Sequence, residues 1–260
     1  MQIRTADVGS RWPKRLWIVR HGESAGNVAR DAANAAGLGR IDIAERDVDV
    51  PLSVLGERQA EALGHWFARM PESERPEVAL ASPYLRARQT VKRIEAEGGL
   101  ASGAILQCAD ERLREREFGI LDRLTTVGIR ELHPEQAEFR RAMGKFYHRP
   151  PGGESWCDVI LRLRSALDTL SLHHAGQRVL IVGHQVVVLC LRYLLENMTE
   201  QEILAIDAQG DVANCGVTEY VCDPAGAGGD MRLVRYNFTA PLEREGAPVT
   251  RAPDAPVAAR

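Results

Sequence analysis

Two apolar runs in this chain end in histidine. Leu16–Val19 runs into Arg20, His21, Gly22, Glu23 and Ser24, with Asn27 close behind. Val179–Val182 runs into Gly183, His184 and Gln185. A third run, Val78–Ala81, ends at Ser82 and is followed by Arg86. Taken singly, a histidine after an apolar run is ordinarily a structural residue. Two of them, together with two arginines at run ends, suit another task. A neutral imidazole can act as nucleophile or proton carrier, and guanidinium groups grip oxyanions. The combination points to chemistry on an anion. His21, Glu23 and His184 can also be read as a metal triad. Arg20 beside His21 opposes a cation there, so no metal is expected. His65, His133, His148, His173 and His174 have no comparable setting.

These side chains meet only if the elements bring them together. The three runs are too short for helices and each stops at polar or glycine residues, which reads as buried strand. Val217–Val221, Leu233–Tyr236 and Ile105–Leu106 are weaker strand signals. Leu55, Leu63, Phe67 and Met70 line one helical face that Ser53 can cap. Ser82-Pro83 reads as an N-cap followed by proline, opening a helix with Arg86 in its first turn. Such a helix start is a ready anion site. Ile160, Leu163, Leu167 and Leu170 form a stripe after Ser155, and Val186–Leu195 is apolar nearly all round. Strands alternating with helices predict an α/β fold: a three-layer α/β/α sandwich with a mainly parallel sheet. Ligands of such sheets bind beyond the carboxyl ends of the strands, so His21, His184 and Arg86 should share a crevice.

Three stretches interrupt the alternation. Asp110–Ser155 is dense in charge and predicts a small helical cap over one end of the sheet. Residues 28–48 form a second long connection able to fold over a site. Residues 241–260 lack periodicity and predict a mobile tail after a single domain spanning 1–240.

Composition narrows the classes. The 260 residues are 45% hydrophobic and 27% charged, with a formal charge of −3. That is ordinary globular composition, and a mildly acidic total argues against nucleic-acid binding. No run approaches a membrane span, and the polar start lacks the apolar stretch of a secretory signal. Cys108, Cys157, Cys190, Cys215 and Cys222 show no paired spacing and read as reduced thiols. A cytoplasmic location is expected.

Six segments carry a family resemblance. Arg20-His21-Gly22-Glu23-Ser24 with Asn27 comes first, then Asp49-Val50-Pro51-Leu52-Ser53 with Gly56 and Gln59-Ala60. Ser82-Pro83 follows with Arg86-Ala87 and Gln89-Thr90, then Leu113-Arg114-Glu115 with Gly119. Pro151-Gly152-Gly153-Glu154-Ser155 and Val182-Gly183-His184 complete the set. In this order they resemble the histidine phosphatase superfamily, whose fold is shared by cofactor-dependent phosphoglycerate mutases and many phosphatases.

The resemblance implies phosphoryl transfer through a phosphohistidine on His21, without metal or other cofactor. Arg20, Arg86 and His184 would hold the phosphoryl oxygens. Asn27, Ser24 and Gln185 would complete the substrate-binding set. Spacing alone leaves Glu115 and Glu117 open as proton donor, because both share a face if the stretch is extended. The family motif selects Glu115. Fixed cations suit this chemistry, since the transferred group carries its charge on its equatorial oxygens. Relatives have a second glycine near Arg123, which is absent here. The segment from Glu115 to Gly153 is also shorter than in the mutases, which favours phosphomonoester hydrolysis. The alternatives are mutase-type transfer and a silent phospholigand-binding protein. The expected partner is a small phosphorylated substrate or a phosphopeptide. Arg112, Arg114, Arg116 and Arg123 either charge the pocket rim or pair with Glu111, Glu117 and Asp122.

Overall fold

A computed structural model describes residues 11–107, 109–223 and 230–251. Every strand signal in the sequence is a strand: β1 (Arg15–Arg20), β2 (Val78–Ala81), β3 (Ile105–Gln107), β4 (Arg178–Gly183), β5 (Val217–Asp223) and β6 (Asp230–Phe238). They form one sheet in the order β3-β2-β4-β1-β5-β6. β1 pairs parallel with β4, and β2 pairs parallel with both β4 and β3. β5 and β6 close the far edge antiparallel. The parallel register sets Arg20 opposite Gly183, so His21 and His184 leave adjacent strands at the same height.

Side chains on a strand alternate between faces, and here both faces are covered. Leu16, Ile18, Leu80, Val179 and Ile181 point into one core with α6 (Trp156–His173), α7 (Gln185–Leu195) and α8 (Glu200–Gln209). Trp17, Val19, Ala79, Ala81, Leu180 and Val182 point into the other, with α2 (Val54–Ala68) and α3 (Leu85–Ala96). Cys190 is buried in the first core and Cys215 in the second. The cap at Ser53 forms as expected, and Ser155 caps α6 in the same way, each hydroxyl accepting a backbone N–H of the first turn. No helix among the described residues is long and apolar enough to cross a membrane.

Three expectations need correction or detail. Ser82 does not cap α3: the helix starts at Leu85 after Tyr84, and the Ser82 hydroxyl is committed elsewhere, as described below. The tail is not loose through residue 251. α9 (Ala240–Arg244) buries Leu242, Ala247 packs beside it, and Thr250 bonds Gln59 and Asn214. Residues 252–260 lie outside the described set. The 28–48 connection is partly helical, since α1 (Ala25–Ala35) fills its first third. Its remainder is clasped to α4 (Thr126–Leu132) and the loop before it: Ile41 N donates to Arg123 O at 2.9 Å and Thr125 N to Gly39 O at 3.1 Å. Gly39 and Gly128 touch so closely that a Cβ on Gly128 would lie 1.9 Å from Gly39 O. Residues 110–155 hold two short 3-10 turns, α4 and α5 (Pro134–Tyr147), around a small cluster of Leu121, Leu124 and Ile129.

Candidate active site

His21 is held at the end of β1 by its own backbone. Its N–H donates to Gly183 O at 2.9 Å, and its carbonyl accepts from Asn214 Nδ2 at 3.1 Å. The ring Nδ1 lies 2.7 Å from Gly22 O. A carbonyl only accepts, so Nδ1 carries the hydrogen and Nε2 keeps its lone pair. Arg86 Nε donates to that Nε2 at 3.2 Å. Burial, then the charges of Arg86 and Arg20, hold His21 well below the usual histidine range, so the ring is neutral.

His184 stands beside it, with ring centroids 5.1 Å apart. It is fully buried, and burial followed by Arg86 lowers its proton affinity as well. Ser82 Oγ accepts from Tyr84 N at 3.3 Å and lies 2.8 Å from His184 Nε2. A hydroxyl can give or accept a hydrogen here; with Ser82 Oγ donating to Nε2, the hydrogen of His184 is on Nδ1 and can be offered to a ligand. That Nδ1 has no hydrogen-bond partner and lies 3.5 Å from Glu115 Oε2.

The arginines are fixed from behind. Arg20 Nη1 donates to Gln185 Oε1 at 3.1 Å and to Val212 O at 2.6 Å. Arg86 is gripped by Asp47: Nη1 donates to its carbonyl at 2.6 Å and its carboxylate at 2.9 Å, and Nη2 to the other carboxylate oxygen at 3.3 Å. Thr90 Oγ1 accepts from Gly22 N at 3.1 Å and donates to Arg86 O at 2.8 Å, coupling the two strand ends.

The pocket in front of these groups has a polar floor and an apolar wall. Arg20, His21, Asn27, Arg86 and Glu115 line the floor, while Ile41, Ile43, Val50, Leu124 and Ile129 line the wall. Glu115 is 7% exposed and reaches the pocket, whereas Glu117 does not line it. Tyr84 Oη donates to Glu117 Oε1 at 3.1 Å, away from the floor. The Glu115 loop is pinned from α6: Arg162 Nη1 donates to Arg112 O at 2.5 Å and Nη2 to Glu115 O at 3.2 Å.

Of two further residues expected at the substrate, Ser24 lines the pocket with its hydroxyl committed and Gln185 acts from behind. Ser24 is the N-cap of α1; its hydroxyl accepts from Asn27 N at 3.1 Å and gives its hydrogen to Asn27 Oδ1 at 3.0 Å. An oxyanion needs donors, and Ser24 has none left. The bond turns the Asn27 amide so that only Nδ2 remains to offer. Neither His184 nor Gln185 lines the open pocket: His184 is buried behind His21, and Gln185 bridges Arg20 and Asp211 Oδ1 and so orients Arg20. Glu23 accepts from Ser53 Oγ at 2.6 Å, which removes it from any grouping with the two histidines. Among the described residues no cluster of His, Cys, Asp and Glu is arranged to hold a metal.

The expected arginine rim is mostly internal bracing. Arg112 pairs with Asp110 at 2.7 Å, Arg114 with Glu154 at 2.9 Å, and Arg116 Nε donates to Glu154 O at 2.6 Å. Only Arg123 of the four lines the pocket. It adopts φ 58°, in the left-handed region that favours glycine, and donates to Ile43 O and Glu45 O. Sequence reasoning missed Asp47, Arg30, Ser82 as partner of His184, and Asn214. Only Ser82 had a signal, its place at a strand end.

The histidine phosphatase superfamily (branch 1) matches residues 16–239. The chain belongs to that superfamily. It is 32% identical over 179 residues to the probable phosphoglycerate mutase GpmB of Yersinia enterocolitica, covering 68% of this chain and 72% of the relative. YhfR of Bacillus stearothermophilus superposes with a TM-score of 0.68 at 24% identity, covering 88% of this chain and 98% of its own. A mycobacterial glucosyl-3-phosphoglycerate phosphatase in complex with inorganic phosphate gives 0.65 at 22%, covering 88% and 99%. These superpositions establish the fold. Within the superfamily the expected α/β sandwich is the observed one.

Proposed function

We propose that this chain hydrolyses a phosphomonoester through a covalent phosphohistidine on His21. The observation that carries the reading is the hydrogen on His21 Nδ1, held by Gly22 O at 2.7 Å, which leaves the Nε2 lone pair facing Arg86. In the first step Nε2 attacks phosphorus and the bond to the ester oxygen breaks. Glu115 gives its proton to the departing alkoxide. In the second step Glu115 takes a proton from water, the water oxygen attacks phosphorus, and the P–N bond breaks to release phosphate. Arg20, Arg86, Asn27 Nδ2 and His184 Nδ1 are the donors for the phosphoryl oxygens, Arg86 once the substrate has displaced Asp47. Glu115 fits the acid role because it is buried at the pocket, within 3.5 Å of His184 Nδ1.

The pocket's lining of polar residues at His21 together with Ile41, Ile43, Val50, Leu124 and Ile129 favours a small phosphorylated molecule over a phosphopeptide. The name of the Yersinia relative favours a second reading, in which the phosphoryl group returns to substrate as in a mutase. A panel of phosphorylated metabolites assayed in EDTA separates the two. Release of inorganic phosphate supports hydrolysis, while isomerisation of phosphoglycerate without release supports the mutase. Activity that is lost in EDTA and restored by one divalent metal contradicts both mechanisms.

A further inference from the structure

Arg30 stands on α1 one turn beyond Asn27, so the two side chains share a helix face, and both line the pocket. Its Nε and Nη2 are shielded from solvent and have no hydrogen-bond partner. Of the four acidic residues that line the pocket, Asp47 pairs with Arg86 at 2.9 Å, Asp122 lies 3.9 Å from Arg123 and Glu115 lies 3.5 Å from His184 Nδ1, while Glu45 forms no ion pair with Arg30. Arg86 and Arg123 spend their donors on Asp47 and on the carbonyls of Ile43 and Glu45. Arg30 thus brings a positive charge and two idle donors to a pocket that Ile41, Ile43, Val50, Leu124 and Ile129 also line. Removing guanidinium donors from water without replacing their partners is costly, and such groups in folded proteins ordinarily have a partner. Its charge also weakens proton binding at His21, which places it in the field of the reacting centre.

We propose that Arg30 selects the substrate, gripping a second anionic group, a carboxylate or a second phosphate, on the body of a phosphomonoester. The phosphoryl group sits on the floor at His21, the carbon chain lies along the apolar wall, and the second acid meets Nε and Nη2 of Arg30. The inference rests on the phosphomonoester site proposed above. It deepens that reading by naming the substrate class: a doubly acidic small molecule.

Binding, rather than turnover, tests it. Alkylphosphonates of increasing chain length cannot be hydrolysed, and each is compared with the same chain ending in a carboxylate and in a second phosphonate. Calorimetric titration of the wild-type protein should give one length at which an acidic end tightens binding by about tenfold to about a hundredfold, the worth of hydrogen bonds to a charged group. The arm that gains identifies the anion. In Arg30→Gln that preference should fall to about one, and Arg30→Lys should restore part of it. Thermal melts of both variants check that the fold persists. Equal affinity for neutral and acidic ends in the wild type overturns the proposal, as does a preference unchanged in Arg30→Gln. Absence of phosphatase turnover would count against the reaction alone, since the titration reads the Arg30 contact independently.

Discussion

At the scale of single residues, the account depends on where hydrogens sit. Gly22 O holds the hydrogen of His21 on Nδ1 and turns its Nε2 lone pair toward Arg86 Nε, while Ser82 Oγ beside His184 Nε2 is compatible with an Nδ1 donor there. Glu115 and Glu117 make the parallel contrast among acids. One is buried at the pocket, and the other accepts from Tyr84 and lies 3.8 Å from Arg114. Loss of a general acid typically costs about 10²–10⁴-fold in rate. A poor alkoxide leaving group needs the proton, whereas p-nitrophenolate leaves with little help. Glu115→Gln should therefore slow alkyl phosphate hydrolysis far more than p-nitrophenyl phosphate hydrolysis when phosphorylation limits the rate. Glu117→Gln should change both modestly. The reverse pattern in steady-state kinetics would transfer the role to Glu117.

At the scale of elements, the site is a meeting of strand ends with connections that fold back over them. The strand ends were legible in the sequence because β1, β2 and β4 are unbroken apolar runs that stop at chemistry. The Ser53 cap was legible because a helix start needs a local acceptor, and the hydroxyl can accept from Gly56 N while giving its own hydrogen to Glu23. Ser82 misled because a buried imidazole, with no other partner for Nε2, claims its hydroxyl across 102 residues of chain. Arg30 and Asp47 were not legible at all. Asp47 follows the clasp between residues 39–41 and 123–128, which no local pattern encodes, and Arg30 lies on α1 inside a connection that the sequence reading left without elements. Asp47 has a measurable consequence. Its carboxylate occupies the Arg86 donors that the mechanism assigns to phosphoryl oxygens, so substrate must displace it. Asp47→Ala should tighten competitive inhibition by inorganic phosphate. Weaker inhibition would mean that Asp47 orients Arg86 and does not compete for it.

At the scale of the whole molecule, two cores on opposite faces of one sheet hold the strand ends still, and the chain after β6 closes over the second core. Leu242 and Ala247 are isolated apolar residues, too few to show a period, which hid that docking from the sequence. The same burial that tunes the site sets a pH limit on the fold. His21, His184 and His148 all bind protons less readily than free histidine, burial being the largest cause in each, and His148 is lowered to about 4. In the unfolded chain they protonate below about pH 6.5. Stability rises with pH wherever the unfolded state holds more protons. The fold therefore loses stability as pH drops below about 6.5, and for His148 the loss continues down to its folded value of about 4. Melting temperature should fall between about pH 7 and about pH 5, with a shallower slope in His148→Gln. A flat profile would contradict the neutral, buried state of these rings.

The central claim is a covalent bond from phosphorus to His21 Nε2. Rapid quenching of the protein with a radiolabelled phosphomonoester, followed by peptide mapping, tests it most directly. The account predicts a base-stable, acid-labile label on the peptide carrying His21, formed within the first turnover and absent from His21→Gln. Label that persists in His21→Gln, or wild-type turnover that proceeds with no trapped phosphoprotein while Glu115→Gln leaves it unslowed, would contradict it.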